Sequence, residues 1–102
     1  MPIPPKNVQE AAQRALDVRS EVPPYARAGT PVGIARARDL ARGADVSENT
    51  LVRMYSYLMR AKFDYDQARN QGKDIKTSRA IMAYYLWGGP SALAWVKREL
   101  GK

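Results

Sequence analysis

"PVGIARARDLARGADVSENTLVRMYSYLMR", residues 31–60, decides the fold. It reads as two helices separated by a break at residues 43–46. Thr30 and Pro31 are a good N-cap and N1 pair for the first helix. Ile34, Ala37, Leu40 and Ala41 make its thin apolar stripe, of residues small enough to let another helix approach closely. Gly43 suits the C′ position. Ser47 caps the second helix, and Glu48 sits favourably against the positive end of its dipole. Leu51, Met54, Tyr55, Leu58 and Met59 form the richest apolar stripe in the chain, and Lys62 suits the helix end. This second helix is expected at the centre of the core.

Toward the N-terminus, "MPIPP" carries three prolines in five residues and reads as an extended arm. Asn7 and Glu10 resemble a capping box that opens a helix. Val8, Ala11, Ala12, Ala15 and Leu16 line one face of it, and Pro23 and Pro24 stop it. Toward the C-terminus, "DYDQARNQGKDIKT" is polar, contains Gly72 and reads as an exposed connection. Thr77 or Ser78 caps a short aromatic helix ending at Trp87. Pro90 opens a last helix with Leu93, Trp95, Val96 and Leu100 as its apolar positions. No strand alternation of any length and no internal repeat interrupts this pattern. The expected fold is all-α: a compact bundle of four to five short helices, with residues 1–6 as an extended proline-rich arm and residues 7–102 as one helical domain.

The chemistry on offer is narrow. The chain has no histidine and no cysteine, which removes the commonest general base, the commonest metal ligand and any thiolate site. Asp64 and Asp66 are the only closely spaced carboxylates; no further ligand of a calcium loop follows them. "LWGGP" lacks the Gly-Lys-Ser/Thr ending of a phosphate loop and reads as a helix end followed by a proline start. Catalytic residues, metal and cofactor are therefore expected to be none. No apolar run nears the roughly 18 residues of a membrane span. "MPIPPKNVQE" has no apolar segment of the signal-peptide kind, so a cytosolic place of assembly is expected, without a membrane partner.

Charge is the strongest global signal. Lys and Arg total 17 against 10 Asp and Glu, a net charge of +7. That surplus favours anionic partners, whether nucleic acid or an acidic protein surface. Residues 31–60 also echo a helix-turn-helix. In that reading Arg53 addresses a guanine edge, Asn49 an adenine, and Ser47 or Thr50 a phosphate. Arg36, Arg38, Arg42 and Arg60 supply further phosphate contacts. Ala44 and Asp45 lengthen the turn, and Glu48 opposes phosphate, so the arginines read equally well as a solvated surface with Asp39 and Arg42 paired.

Residues 29–60, together with "AYYLWGGPSALAWVKREL", resemble a small helical module encoded by tailed bacteriophages near portal, protease and capsid genes. The matching positions are Gly29, Thr30, Val32, Gly33, Ala35, Arg36, Ala37, Arg38, Leu40, Val46, Ser47, Thr50, Arg53, Met54, Leu86, Trp87, Gly88, Gly89, Ala94 and Trp95. The chain departs from the module between Lys62 and Lys76, where it is shorter and lacks a Gly/Pro-rich stretch. The resemblance implies a virion or head-assembly role and carries no catalytic residue. The leading expectation is a non-enzymatic virion protein, a capsid decoration or cement protein or another head-associated protein. It would bind capsid or other virion proteins and be assembled in the host cytoplasm. Ile3, Pro4, Pro5, Tyr25, Arg27, Tyr85 and Trp87 are the expected partner contacts. The alternative is the helix-turn-helix DNA-binding protein, through Ser47, Asn49, Thr50 and Arg53. A phage-encoded inhibitor of a host protein also fits the size and charge.

Overall fold

Among the described residues, five helices and one 3-10 turn follow in order: α1 Lys6–Glu21, the turn Pro24–Ala26, α2 Pro31–Ala41, α3 Glu48–Asn70, α4 Arg79–Leu86 and α5 Gly89–Glu99. The computed structural model describes residues 2–102; Met1, the first residue of the expected arm, lies outside them. The bundle is all-α, as the apolar periodicity requires.

α1 starts at Lys6 on a Pro5 N-cap that makes no side-chain cap bond, so Asn7 lies inside the helix and the Asn7/Glu10 capping box is not formed. Pro5 is already fixed near helical φ and its carbonyl accepts the first helical N–H groups, from Val8 and Gln9, at 3.0 Å. The buried face is Val8, Ala12, Ala15 and Val18. Ala12 and Ala15, the two small residues on it, let α2 and α4 pack close.

α2 and α3 begin as expected. Thr30 accepts from the Gly33 N–H and Ser47 from the Thr50 N–H. α2 ends in a Schellman motif: Gly43 has φ +72°, its N–H donates to Leu40 C=O, and the Ala44 N–H to Asp39 C=O.

The largest departure from expectation is α3. It does not stop near Lys62 but runs 23 residues to Asn70, about 34 Å at 1.5 Å per residue. The molecule is 36 Å in its longest dimension. Leu51, Met54, Leu58, Ala61, Tyr65 and Ala68 recur at alternating steps of three and four, which is one continuous seam. Tyr65 and Ala68 are buried on it, so half of the supposed loop is core-facing helix whose polar residues merely cover the outside. A second Schellman motif, at Gly72 with φ +79°, ends the helix. Met59, expected in the core stripe, is 43% exposed and points the other way.

α4 and α5 close the bundle. Ser78 caps α4 by accepting from the Ile81 N–H at 3.2 Å. Gly88, with φ +101°, is the hinge between the two helices. A Cβ there would lie 2.5 Å from Ala92 Cβ and 2.9 Å from Val8 Cγ1, so only glycine fits between α5 and α1. Tyr84 is the largest fully buried side chain, stacked on Tyr65 at 4.4 Å between centroids. Its hydroxyl donates to the Leu58 carbonyl at 3.3 Å. Among the described residues no helix is long and apolar enough to cross a membrane.

Candidate functional site

The arm is fastened to the chain itself. The Val46 N–H donates to the Pro2 carbonyl at 2.9 Å, and the Gln9 side-chain amide to the Pro4 carbonyl at 2.8 Å. The first bond ties the arm to the α2–α3 connection, the second to α1. Pro4 is fully buried and Pro5 half-buried, so neither is offered whole to a partner. Ile3, 55% exposed, is the one expected arm contact that faces out.

The other expected contacts scatter. Tyr25 stands on the 3-10 turn and is 82% exposed. Arg27 is half-buried, and its Nε donates to the Val22 carbonyl at 3.2 Å. Tyr85 is half-buried with its ring 6.3 Å from that of Tyr65. Trp87 is stacked on Tyr57, 4.7 Å between centroids and 17° from parallel. It holds α4 to α3 rather than standing free as an anchor, and Gly33 leaves room for its indole edge. Burial of Tyr57 raises its phenol above the ordinary value.

The helix-turn-helix residues divide in two. Asn49 and Arg53 are exposed on the first turns of α3. Ser47 and Thr50 are occupied with each other: the Ser47 hydroxyl donates to Thr50 Oγ1 at 2.9 Å while accepting the Thr50 N–H at 3.2 Å. α2 packs on α1 and α4, whereas α3 packs on α4 and α5, and α2 and α3 share no comparable interface. A helix-turn-helix presents its second helix by packing it against the first. That support is missing, because the six residues between α2 and α3 lead the chain across the bundle. Arg36 and Arg42 both pair with Asp39, at 3.8 and 2.8 Å, which spends part of the expected phosphate-binding charge.

Asp64 and Asp66 lie on α3, two residues and about 200° apart, so they diverge. Asp66 pairs with Lys62 at 2.6 Å. Among the described residues no group of three or more Asp, Glu, His or Cys is placed to hold a metal ion. Asp74 is held below the usual carboxylate range by the Lys76 backbone N–H and by the N–H and hydroxyl of Thr77. That ring of bonds shapes the turn into α4.

The most coherent surface feature is one that sequence reasoning missed. Val52, Met59 and Phe63 are 51%, 43% and 72% exposed. They fall within an arc of about 40° on α3, on the side away from its buried seam. The signal is present as steps of seven and four residues, but a core stripe that includes both Leu58 and Met59 masks it. No family model, curated protein or solved structure matches the chain.

Proposed function

We propose that this chain is a non-enzymatic bacteriophage virion protein that attaches to capsid or other head proteins, a decoration or cement protein being its most concrete form. The observation that carries the binding role is the row Val52, Met59 and Phe63, large apolar side chains in line on the longest described helix and exposed on its outer side. The resemblance of residues 29–60 and 83–100 to the phage-encoded module supplies the setting. The net charge of +7 supports a partner of opposite sign. Many copies on a symmetric shell would let a modest contact suffice. Of the expected contacts, Ile3 and Tyr25 are exposed, Pro5, Arg27, Tyr85 and Trp87 are half-buried and keep some surface to offer, with Trp87 stacked on Tyr57, and Pro4 is buried.

The test is sedimentation of the purified chain with purified particles lacking it. Saturable co-sedimentation at physiological salt is expected. Failure to bind at any stage of head assembly would sink the reading. Anisotropy with duplex DNA, run from low to physiological salt, tests the DNA-binding alternative. Sequence-dependent binding that survives physiological salt, and weakens in Arg53→Ala, would replace the particle reading.

A further inference from the structure

The outer face of α3 says something about the kind of partner it takes. Val52 and Phe63, with Met59 between them, lie 11 residue steps apart, a line about 16 Å long. α4 and α5 cover the opposite side of the helix. Single exposed apolar residues are ordinary on a surface, but three in one line on a rigid helix offer a binding seam. Its flanks carry positive charge. Arg53 and Arg60, two turns apart on one flank, are exposed and form no ion pair among the described residues. On the other flank the Lys102 ammonium lies 5.2 Å from the centre of the Tyr55 ring, while Lys62 is neutralised by Asp66. Glu48 borders the face on the Lys62 side and Asp64 stands one turn beyond Arg60 on the arginine flank; neither forms an ion pair among the described residues.

We infer that this face docks an acidic amphipathic helix of a partner protein. Apolar side chains at i, i+4, i+7 and i+11 of that helix cover Val52, Met59 and Phe63, and carboxylates along its edge meet Arg53 and Arg60. The inference rests on the proposed function only in making that partner a particle protein. A second copy of this chain fits worse. Antiparallel pairing that sets Val52 against Phe63 brings Arg53 as close to Arg60 as to Asp64 of the copy, so repulsion cancels attraction and charge adds nothing; parallel pairing sets Asp66 against its own copy. Duplex DNA fits worse too, since the middle of the face is apolar and offers phosphates nothing.

The experiment titrates the full chain with a labelled, designed 18-residue amphipathic peptide that has leucines along one face and glutamates on both edges. The same peptide with lysine edges is the comparison, and amide shift changes map the site. The glutamate peptide is expected to bind along the outer face of α3. Phe63→Glu alone, and Arg53→Glu with Arg60→Glu, should each weaken it by about tenfold or more. All three positions are exposed, so unchanged melting of the variants confirms that the fold is intact. Equal binding of the lysine peptide, binding of neither, or shifts confined elsewhere would overturn the inference. So would self-association in sedimentation that Phe63→Glu abolishes. Particles that retain Phe63→Glu as tightly as the parent chain would remove this docking face and leave the particle reading standing. Peptide binding without particle binding would do the reverse.

Discussion

Gly88→Ala should be among the most damaging single-methyl changes in this protein, and Gly72→Ala shows why. Both glycines have positive φ, +101° and +79°, where an L side chain is strained by about 1–2 kcal/mol. Both substitutions also narrow the unfolded ensemble by a similar amount, which cancels in the comparison. They differ in what the new methyl meets. At Gly72 nothing lies within 4 Å. At Gly88 the methyl would overlap Ala92 Cβ at 2.5 Å and Val8 Cγ1 at 2.9 Å. Ala92 and Val8 are fully buried and cannot swing away, so α5 or α1 must move, at a further cost of about 1–3 kcal/mol. Gly88→Ala is therefore expected to lose about 2–5 kcal/mol, against about 1–2 for Gly72→Ala. The whole fold of a domain this size is stable by only about 5–15 kcal/mol. Urea unfolding followed by circular dichroism measures both, and equal slopes would license the comparison. If the two variants fall within about 0.5 kcal/mol of each other, the α4–α5 junction is not wedged against α1 and the packing argument is wrong.

Two further results follow from the α3–α4 contact. Burial, with Asp66 nearby, pushes the Tyr84 phenol up to about 12, from an ordinary value of 10.0. The fold thus favours the neutral phenol. That stability is fully present below pH 10 and is lost as pH rises from 10 toward 12, so denaturation midpoints should drop across that range and drop less in Tyr84→Phe. Tyr57 and Tyr65 are raised in the same direction by burial and steepen the loss. Tyr65→Ala should cost about 3 kcal/mol, because it removes a buried ring stacked on Tyr84, while Gln67→Ala on the outside should cost less than about 0.5. Equal, small effects in chemical denaturation would mean that residues 64–70 are a loop after all.

The candidate surface was only partly legible beforehand. Ile3, expected from its place in the arm, and Tyr25, expected as a surplus aromatic, face out. Pro4 of the same arm is buried, and Trp87, another surplus aromatic, is half-buried and stacked on Tyr57. Residue type alone does not separate these cases, because an aromatic ring or a proline serves a partner and a core equally well. The outer row of α3 was missed for the opposite reason. Met59 lies one residue from Leu58, and a stripe drawn broadly enough to include both hides the fact that they diverge by about 100°.

The sequence by itself determined the helical class, the places where α2, α3, α4 and α5 begin and the absence of histidine and cysteine chemistry. Those depend on local rules: the caps at Thr30, Ser47 and Ser78, the prolines at 31 and 90, and the glycine at 43 act within a few residues of themselves. Only the tertiary structure decided how far α3 runs, because Tyr65 and Ala68 are worth burying only where α4 lies beside them. It also decided that the proline arm closes on Val46, that Trp87 stacks on Tyr57, and that Val52, Met59 and Phe63 are left outside. Each of these rests on which helix lies against which, and that is settled by contacts between residues tens of positions apart.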